Sequence, residues 1–332
     1  MQSHTEPMKL TGKELKLLSL LARHGKASVS EVVAELRELP PQMSRVIAGL
    51  QEKDFVRTER AGVSKILSLS ETKHSALWRK LDLEFEHIPF DELLSGVSLE
   101  VLSAICFLNL RNRKEIAKHC LVSEASVART LERLKQVGIV EKAEPGYRVS
   151  TRFQTLKELV IEYRHYLNQR IAKRFADDAL VHWECNNEFI LETRRREEGD
   201  GFHLTASSVF ARFGVTLLST KSYFFYSPFR RKLRLEDAVL HSLQLRNVSP
   251  LPVLLVWKNN QTRLDMSYLR NAGEKYGAGQ LIDRIVAYFE SRGGERPRGL
   301  PPWDEFMRRA KEYPAKVSPE AVSYHARGLS SR

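Results

Sequence analysis

Two stretches of the chain place hydrogen-bonding side chains at matching positions of a repeated sequence. Residues 42–56 (QMSRVIAGLQEKDFV) and 126–140 (SVARTLERLKQVGIV) align without a gap at an offset of 84, which pairs Arg45 with Arg129. A guanidinium group can bind guanine through paired hydrogen bonds, a glutamine amide can bind adenine, and a serine hydroxyl can bind a base or a phosphate. The chemistry that these residue types suggest is therefore recognition of a nucleic acid.

Helices must position these side chains, and the sequence predicts three of them in each copy of the repeat. In the first copy we expect helices at Thr11 to Arg23, after Ser28 or Ser30, and from about Pro41, followed by a hairpin with Gly62 at its tip. The second copy is expected to repeat this order from about Ser95, and the same offset pairs Gly62 with Gly146. The repeat thus predicts two tandem domains of one kind.

The two copies resemble the winged helix-turn-helix of MarR-like and ArsR-like transcriptional regulators. The resemblance covers about residues 10–150 and rests on SVSEVVAELRELPPQMSRVIAGLQEKDFV and NRKEIAKHCLVSEASVARTLERLKQVGIV. It implies that the third helix of each copy enters the major groove of double-stranded DNA and that the hairpin, or wing, contacts the backbone. A protein-docking role for the same fold is the alternative.

The predicted DNA-binding residues are the polar side chains of the third helices and the wings. They are Gln42, Ser44, Arg45, Arg57, Arg60 and Lys65 in the first copy, and Ser123, Ser126, Arg129, Arg133, Lys142, Tyr147 and Arg148 in the second. The second copy carries more basic residues on its third helix and is expected to be the better reader. The first copy is expected mainly to dimerise or to touch phosphate.

The rest of the chain predicts a long amphipathic helix and a mixed C-terminal domain. The predicted fold class is mixed α/β, mainly α. The predicted ranges are 8–70 and 95–152 for the winged helices, 71–94 for a linking helix, 153–177 for the long helix, 178–292 for an α/β domain, and 293–332 for a partly disordered tail with a short helix at 303–311. The stretches FHLTASSVFARFGVTLLSTKSYFFYS and LRLEDAVLHSL weakly resemble the C-terminal part of AbiEi-like antitoxins and related archaeal regulators.

Composition favours a polyanionic partner. The chain has 53 Lys and Arg residues against 41 Asp and Glu residues, which gives a net charge of +12. Its three scattered cysteines suit a reducing compartment, and it has no apolar run long enough to span a bilayer. We therefore expect a cytoplasmic protein that does not bind membranes. A homodimer is one interpretation of its oligomeric state.

Motifs for catalysis are missing from the sequence, which has no P-loop, no HExxH and no GxSxG. Glu184, Glu188 and Glu192 would be the candidate Mg²⁺ ligands of a nuclease or nucleotidyltransferase-related enzyme. We instead predict a DNA-binding regulator that is not an enzyme and needs no metal or cofactor. Its C-terminal domain would bind a small ligand or a protein partner, and an antitoxin-like or scaffold protein is the second alternative.

Overall fold

A computed structural model describes residues 7–62, 64–108, 110, 112–144, 146–229, 232–245 and 248–312. The chain divides into two compact units, with the boundary between Leu167 and Asn168. Both units are mixed α/β, and helices predominate. Among the described residues, no helix has both the length and the apolar composition needed to cross a membrane.

The first copy of the repeat forms three helices and a small antiparallel sheet. The elements are α1 (Gly12–His24), β1 (Lys26–Ser28), α2 (Val29–Leu36), α3 (Pro40–Glu52), β2 (Val56–Ala61) and β3 (Ser64–Leu69), with strand order β1-β3-β2. Thr11 and Glu14 form a capping box at the start of α1, as the sequence predicts, and Ser28 and Glu31 form another at α2. These boxes satisfy backbone N–H groups that a helix start leaves without partners.

The second copy follows after two further helices. These are α4 (Lys73–Glu84) and α5 (Phe90–Leu93), and the copy itself consists of α6 (Ser98–Phe107), α7 (Arg113–Cys120), α8 (Glu124–Gln136), β4 (Val140–Lys142) and β5 (Tyr147–Val149). The bounds of α7 and α8 are those of α2 and α3 shifted by 84 residues. Even the residue that ends the second helix has the same left-handed backbone, with φ 52° at Arg37 and φ 54° at Leu121.

The correspondence of residues at an offset of 84 does not extend through the hairpins. Val56 pairs with Leu69 in the first copy, whereas Val140 pairs with Val149 in the second, so the second hairpin closes four residues earlier. The predicted equivalence of Gly62 and Gly146 is therefore wrong, because the two glycines do not occupy the same place in their hairpins. The shorter second hairpin is one of several points at which the copies differ.

The long helix α9 (Gln154–Phe175) lies within the predicted range of 153–177, and its first part completes the core of the first unit. One apolar cluster extends from Met8 to Leu167 and includes residues of both copies, such as Leu18 and Leu102, together with Val160 of α9. The two copies therefore share a single hydrophobic core. A shared core fixes their relative position much more firmly than a flexible linker would.

A buried ion pair joins α9 to the second copy. Arg164, which is fully buried, donates from Nη2 to Oε2 of Glu100 at 2.6 Å and from Nε to Oγ of Ser103 at 3.2 Å. The other oxygen of Glu100 accepts from the backbone N–H of Met8 at 2.5 Å. One carboxylate thus connects three segments that are distant in sequence.

A histidine on α4 lies where the first copy meets α9. The ring of His74 packs against Phe55, Tyr163 and Tyr166, with ring centroids 4.5 to 5.3 Å apart. Its Nε2 lies 3.3 Å from the carbonyl oxygen of Lys53, at the end of α3. Burial lowers the pKa of His74 below its ordinary value, since the charged form would lose its hydration.

The C-terminal unit is a four-stranded antiparallel sheet covered by helices. The strands are β6 (Leu180–Cys185), β7 (Glu188–Thr193), β8 (Phe202–Leu204) and β9 (Ser222–Tyr226), in the order β6-β7-β9-β8. The helices are α10 (Leu235–Leu243), α11 (Leu251–Asn259), α12 (Met266–Lys275), α13 (Gly279–Glu290) and α14 (Trp303–Lys311). All residues of β9 are buried, so the aromatic run at 223–226 fills the core.

Three further stretches of this unit have the following local structure. The stretch WECNNEFILETRRR includes a hairpin that turns at Asn186, where φ is 53°. The segment Ala206–Phe213 is a 3-10 helix, and SPLPVLLVW contributes to α11. The short helix at Trp303–Lys311 is confirmed, and its Phe306 is fully buried in the core of the unit, although residues 293–312 were assigned to the tail. Residues 313–332 lie outside the described ranges.

Replacement of Arg164 by methionine should destabilise the first unit by about 3–5 kcal/mol, because it leaves the Glu100 carboxylate buried without its cation. Native-state hydrogen exchange of the amides in α6 would measure the loss. Lys73→Gln is the matched control, since it removes the exposed pair between Lys73 and Glu162 (2.5 Å) and exposed pairs contribute little. Equal effects of the two variants would show that Arg164 does not hold this core together.

Candidate functional site

The third helices of the two copies bury one face and expose the other. In α3 the side chains of Met43, Ile47 and Leu50 are buried, and in α8 those of Val127, Leu131 and Leu134 are buried. On the outer faces the predicted residues Gln42, Ser44, Arg45 and Arg129 are exposed, and Ser126 is half-buried. The apolar spacing of three and four residues determines this division, because it places all large side chains on one side of the helix.

The two arginines that the repeat pairs are both available to a ligand. No ion pair or hydrogen bond holds Arg45 among the residues that the structure describes, and Arg129 makes only a long contact of 3.4 Å with the carbonyl oxygen of Ala125. Each lies in the first half of its helix, at the sixth residue of α3 and of α8. Two guanidinium groups are thus presented at equivalent positions.

The serine at the start of α8 has a structural role. Ser123 is the N-cap of α8 and accepts from the backbone N–H of Ser126 at 3.2 Å, and the two hydroxyls lie 2.9 Å apart. In the first copy Leu39 stands at the matching position and provides no side-chain cap. There the helix begins with Pro40 and Pro41. Proline has no backbone N–H, so these two residues of the first turn leave no N–H group without a partner.

Gln42, predicted to read a base, is held by a lysine from α1. The Nζ atom of Lys13 donates to Oε1 of Gln42 at 2.9 Å and to Oε2 of Glu38 at 2.7 Å. Sequence analysis missed Lys13, because its partners lie 29 and 25 residues away and no local pattern connects them. The contact brings a second basic side chain, besides Arg45, to the start of α3.

Arg133, also predicted at the interface, is engaged within the first unit. Its Nη2 donates to Oγ of Ser98 at 3.2 Å and its Nη1 to the carbonyl oxygen of Glu92 at 3.1 Å. Under the offset of 84, Arg133 and Ser98 correspond to Gly49 and Glu14, and Glu14 is held by Lys53 at 2.5 Å. Both copies therefore fasten the first helix to the third, but with different residues. We leave Arg133 out of the site for this reason.

The tip of the first hairpin carries two cations directly opposite each other. Arg60 pairs with Lys65 across the strands, and both side chains are exposed. They share a face with Thr58, which accepts a hydrogen bond from Gln51 of α3 at 3.1 Å. Like charges in directly opposed positions repel each other. An anion bound between Arg60 and Lys65 would reduce this repulsion, so the tip is a candidate anion-binding site. Because α3 contacts the same face, the tip extends the surface of the third helix.

The remaining basic residue of the first hairpin is already paired. Arg57 points to the other face of the sheet, where its Nη1 lies 2.5 Å from Oε1 of Glu71 and its Nε donates to Ser68. An arginine with a carboxylate partner is a weaker phosphate ligand than a free one, because the existing pair must first break. We therefore assign the anion-binding role in this hairpin to Arg60 and Lys65.

The second hairpin is less basic at its tip. Lys142 pairs with Tyr147 across the strands, and the Nε atom of Arg148 lies 2.7 Å from Oε1 of Glu141. Only Lys142 of this hairpin is thus a cation without a carboxylate beside it in the residues described. The two copies therefore differ in the charge of their hairpins, although the bounds of their third helices match.

The glutamates considered for magnesium in the C-terminal unit do not converge. Glu188 and Glu192 lie four residues apart on β7, which separates them by about 13 Å, and each is paired with a lysine, Lys275 and Lys221 respectively. Glu184 lies on the neighbouring strand. In the part of the chain that is described, no three His, Cys, Asp or Glu side chains are grouped so that they could hold a metal ion.

The cysteines are poor nucleophiles in this fold. Burial raises the pKa of Cys106 and of Cys120 to about 12, and that of Cys185 to about 11. The thiolate is the reactive form, so very little of it exists near neutral pH. None of the three forms a disulfide.

Comparison with known proteins gives one match, in the C-terminal unit. A family model described as "HVO_2833_C, C-terminal" matches residues 199–315. The matched range includes β8, β9 and the helices from α10 to α14. Neither the comparison with curated proteins nor that with solved structures returned a match.

Replacement of Lys65 by glutamate should stabilise the chain by roughly 0.5 kcal/mol at low ionic strength, because it turns a repulsive cross-strand pair with Arg60 into an attractive one. Urea unfolding would measure the change. Lys65→Gln removes only the repulsion and should give an intermediate value, and salt should reduce both gains. If the glutamate variant is no more stable than the glutamine variant, the two side chains do not interact.

Proposed function

We propose that this chain is a cytoplasmic, DNA-binding transcriptional regulator with two tandem winged helix-turn-helix domains, similar to MarR-like and ArsR-like regulators. The observation that carries the proposal is the repeated arrangement of three helices and a hairpin, with Arg45 and Arg129 exposed at the same position of the third helix. A chance surface arginine would not recur with its helix bounds and its preceding left-handed turn preserved.

The charge at the hairpins supports a nucleic acid as the anionic partner. Arg60 and Lys65 face each other at the tip of the first hairpin, and the whole chain carries a net charge of +12. A DNA backbone supplies closely spaced phosphates that neutralise such a pair. A small anion would neutralise it as well, but it would not use the exposed arginines of the third helices.

In the proposed mechanism the third helices recognise bases and the hairpins bind phosphates of the DNA backbone. Arg45 and Arg129 would donate paired hydrogen bonds to guanine in the major groove, while Arg60, Lys65 and Lys142 would bind the backbone. The shared core holds both readers in one rigid unit. The C-terminal unit would bind a small ligand or a protein partner, without catalysis and without a metal.

Binding to duplex DNA should fall steeply with salt, since each neutralised phosphate releases a counterion. With six or more phosphate contacts, the affinity should drop about a thousandfold between 50 and 200 mM salt. Fluorescence anisotropy of labelled genomic fragments would measure it. The double variant Arg60→Gln/Lys65→Gln should lower the salt slope by about two, whereas Arg148→Gln, whose arginine is already paired with Glu141, should lower it less. Absence of binding at low salt would refute the proposal.

Arg129→Ala should damage sequence preference more than Arg148→Ala. Arg129 lies on the third helix, where a paired contact with a base contributes about 1–3 kcal/mol of discrimination, whereas Arg148 lies on the hairpin, where a phosphate contact is blind to sequence. The ratio of specific to nonspecific affinity, measured for each variant, tests this assignment. If Arg148→Ala lowers this ratio more than Arg129→Ala does, the hairpin rather than the helix reads the sequence, and the assignment is wrong.

A further inference from the structure

The contact between Lys13 and Gln42 determines how the side-chain amide of Gln42 is presented to a ligand. A lysine ammonium group has three donors and no acceptor, so it can approach only the oxygen of the amide, as it does at 2.9 Å. The same ammonium is anchored to Glu38 at 2.7 Å. Lys13 therefore takes one of the two lone pairs of the Gln42 oxygen and places a positive charge beside it, so the NH₂ group is the end that best suits a ligand with acceptors.

The neighbouring side chains extend this donor-only surface. Arg45 lies three residues after Gln42, on the same side of α3, and has five donors and no acceptor. Lys13 is itself about half exposed, with a side-chain relative accessibility of 48%. The start of α3 thus presents three side chains that donate hydrogen bonds, two of them positively charged.

Guanine is the base that complements such a surface. In the major groove guanine presents two acceptors, N7 and O6, whereas adenine presents N7 beside an amino donor. Paired recognition of adenine by glutamine requires the amide oxygen to accept from that amino group. The ammonium group of Lys13 beside this oxygen places a positive charge next to the adenine amino group, which is itself a donor, so the arrangement favours guanine over the adenine that the sequence suggests for Gln42.

We infer that Lys13 is a positioning residue that makes Gln42 select guanine over adenine, so that the first copy reads adjacent guanines in duplex DNA through Gln42 and Arg45. The inference rests on the proposed function and names the base class that this helix recognises. It is specific to the first copy, because the offset of 84 places Val97 and Ser126 at the positions of Lys13 and Gln42.

Selection from a randomised duplex DNA library with the full chain tests the inference. The wild type should enrich adjacent guanines, and Gln42→Ala should lose the preference at one of them, which identifies the position that Gln42 reads. Lys13→Met should lower the guanine-to-adenine ratio at that position by about tenfold, a change within the range of one base contact, because the amide oxygen can then accept from adenine without a positive charge beside it.

Two control variants separate positioning from charge and from folding. Lys13→Arg keeps a donor beside Gln42 and should retain the guanine preference. Lys16→Met removes a lysine from the same helix, one that lies 3.9 Å from Asp91, and should leave the preference unchanged. Circular dichroism melting would verify that each variant is folded.

The outcomes distinguish this inference from the proposed function. If the wild type enriches a sequence and Lys13→Met enriches the same base at the Gln42 position, Lys13 does not position Gln42 and the inference is wrong, while the DNA-binding function stands. If the wild type binds no duplex DNA at any salt concentration, both are wrong.

Discussion

The arrangement of the first unit depends on the burial of one ion pair. Arg164 of α9 and Glu100 of α6 lie within a core that also receives the backbone of Met8. Two charges without water are costly unless each finds a partner in good geometry, so this pair allows few alternative packings of the three segments. Because Tyr163 of α9 also contacts Phe55 of the first copy and His74 of α4, both copies are positioned against one helix.

The comparison of the copies separates what the fold requires from what a ligand requires. The bounds of the second and third helices, the left-handed turn and the buried face of the third helix are the same in both. The first and third helices are in contact in both copies but through different residue pairs, since Glu14 with Lys53 in one copy corresponds to Ser98 with Arg133 in the other. The outer faces of the third helices share an arginine, Arg45 and Arg129, but differ at Gln42, where the second copy has Ser126.

Local signals were predictable from the sequence and distant ones were not. The capping box of Thr11 and Glu14 and the bounds of α9 depend on residues within a few turns of each other, so their spacing shows them directly. The role of Arg133 depends on partners 35 and 41 residues away, which no periodicity shows. The run SPLPVLLVW, which contributes to α11, gives no clear signal in the sequence, because a short, largely apolar stretch suits a buried strand and a buried helix equally well.

In the proposed mode of DNA binding, the unequal hairpins of the two copies have a consequence for the orientation of the chain. A homodimer with two identical DNA-binding domains has a twofold axis and cannot distinguish one end of its site from the other. This chain carries a long, doubly cationic hairpin in one copy and a short hairpin with one paired arginine in the other. The two ends of the first unit would therefore bind the DNA backbone unequally, and reversing the site would reverse the orientation of this unit. A single bound chain would thereby distinguish upstream from downstream.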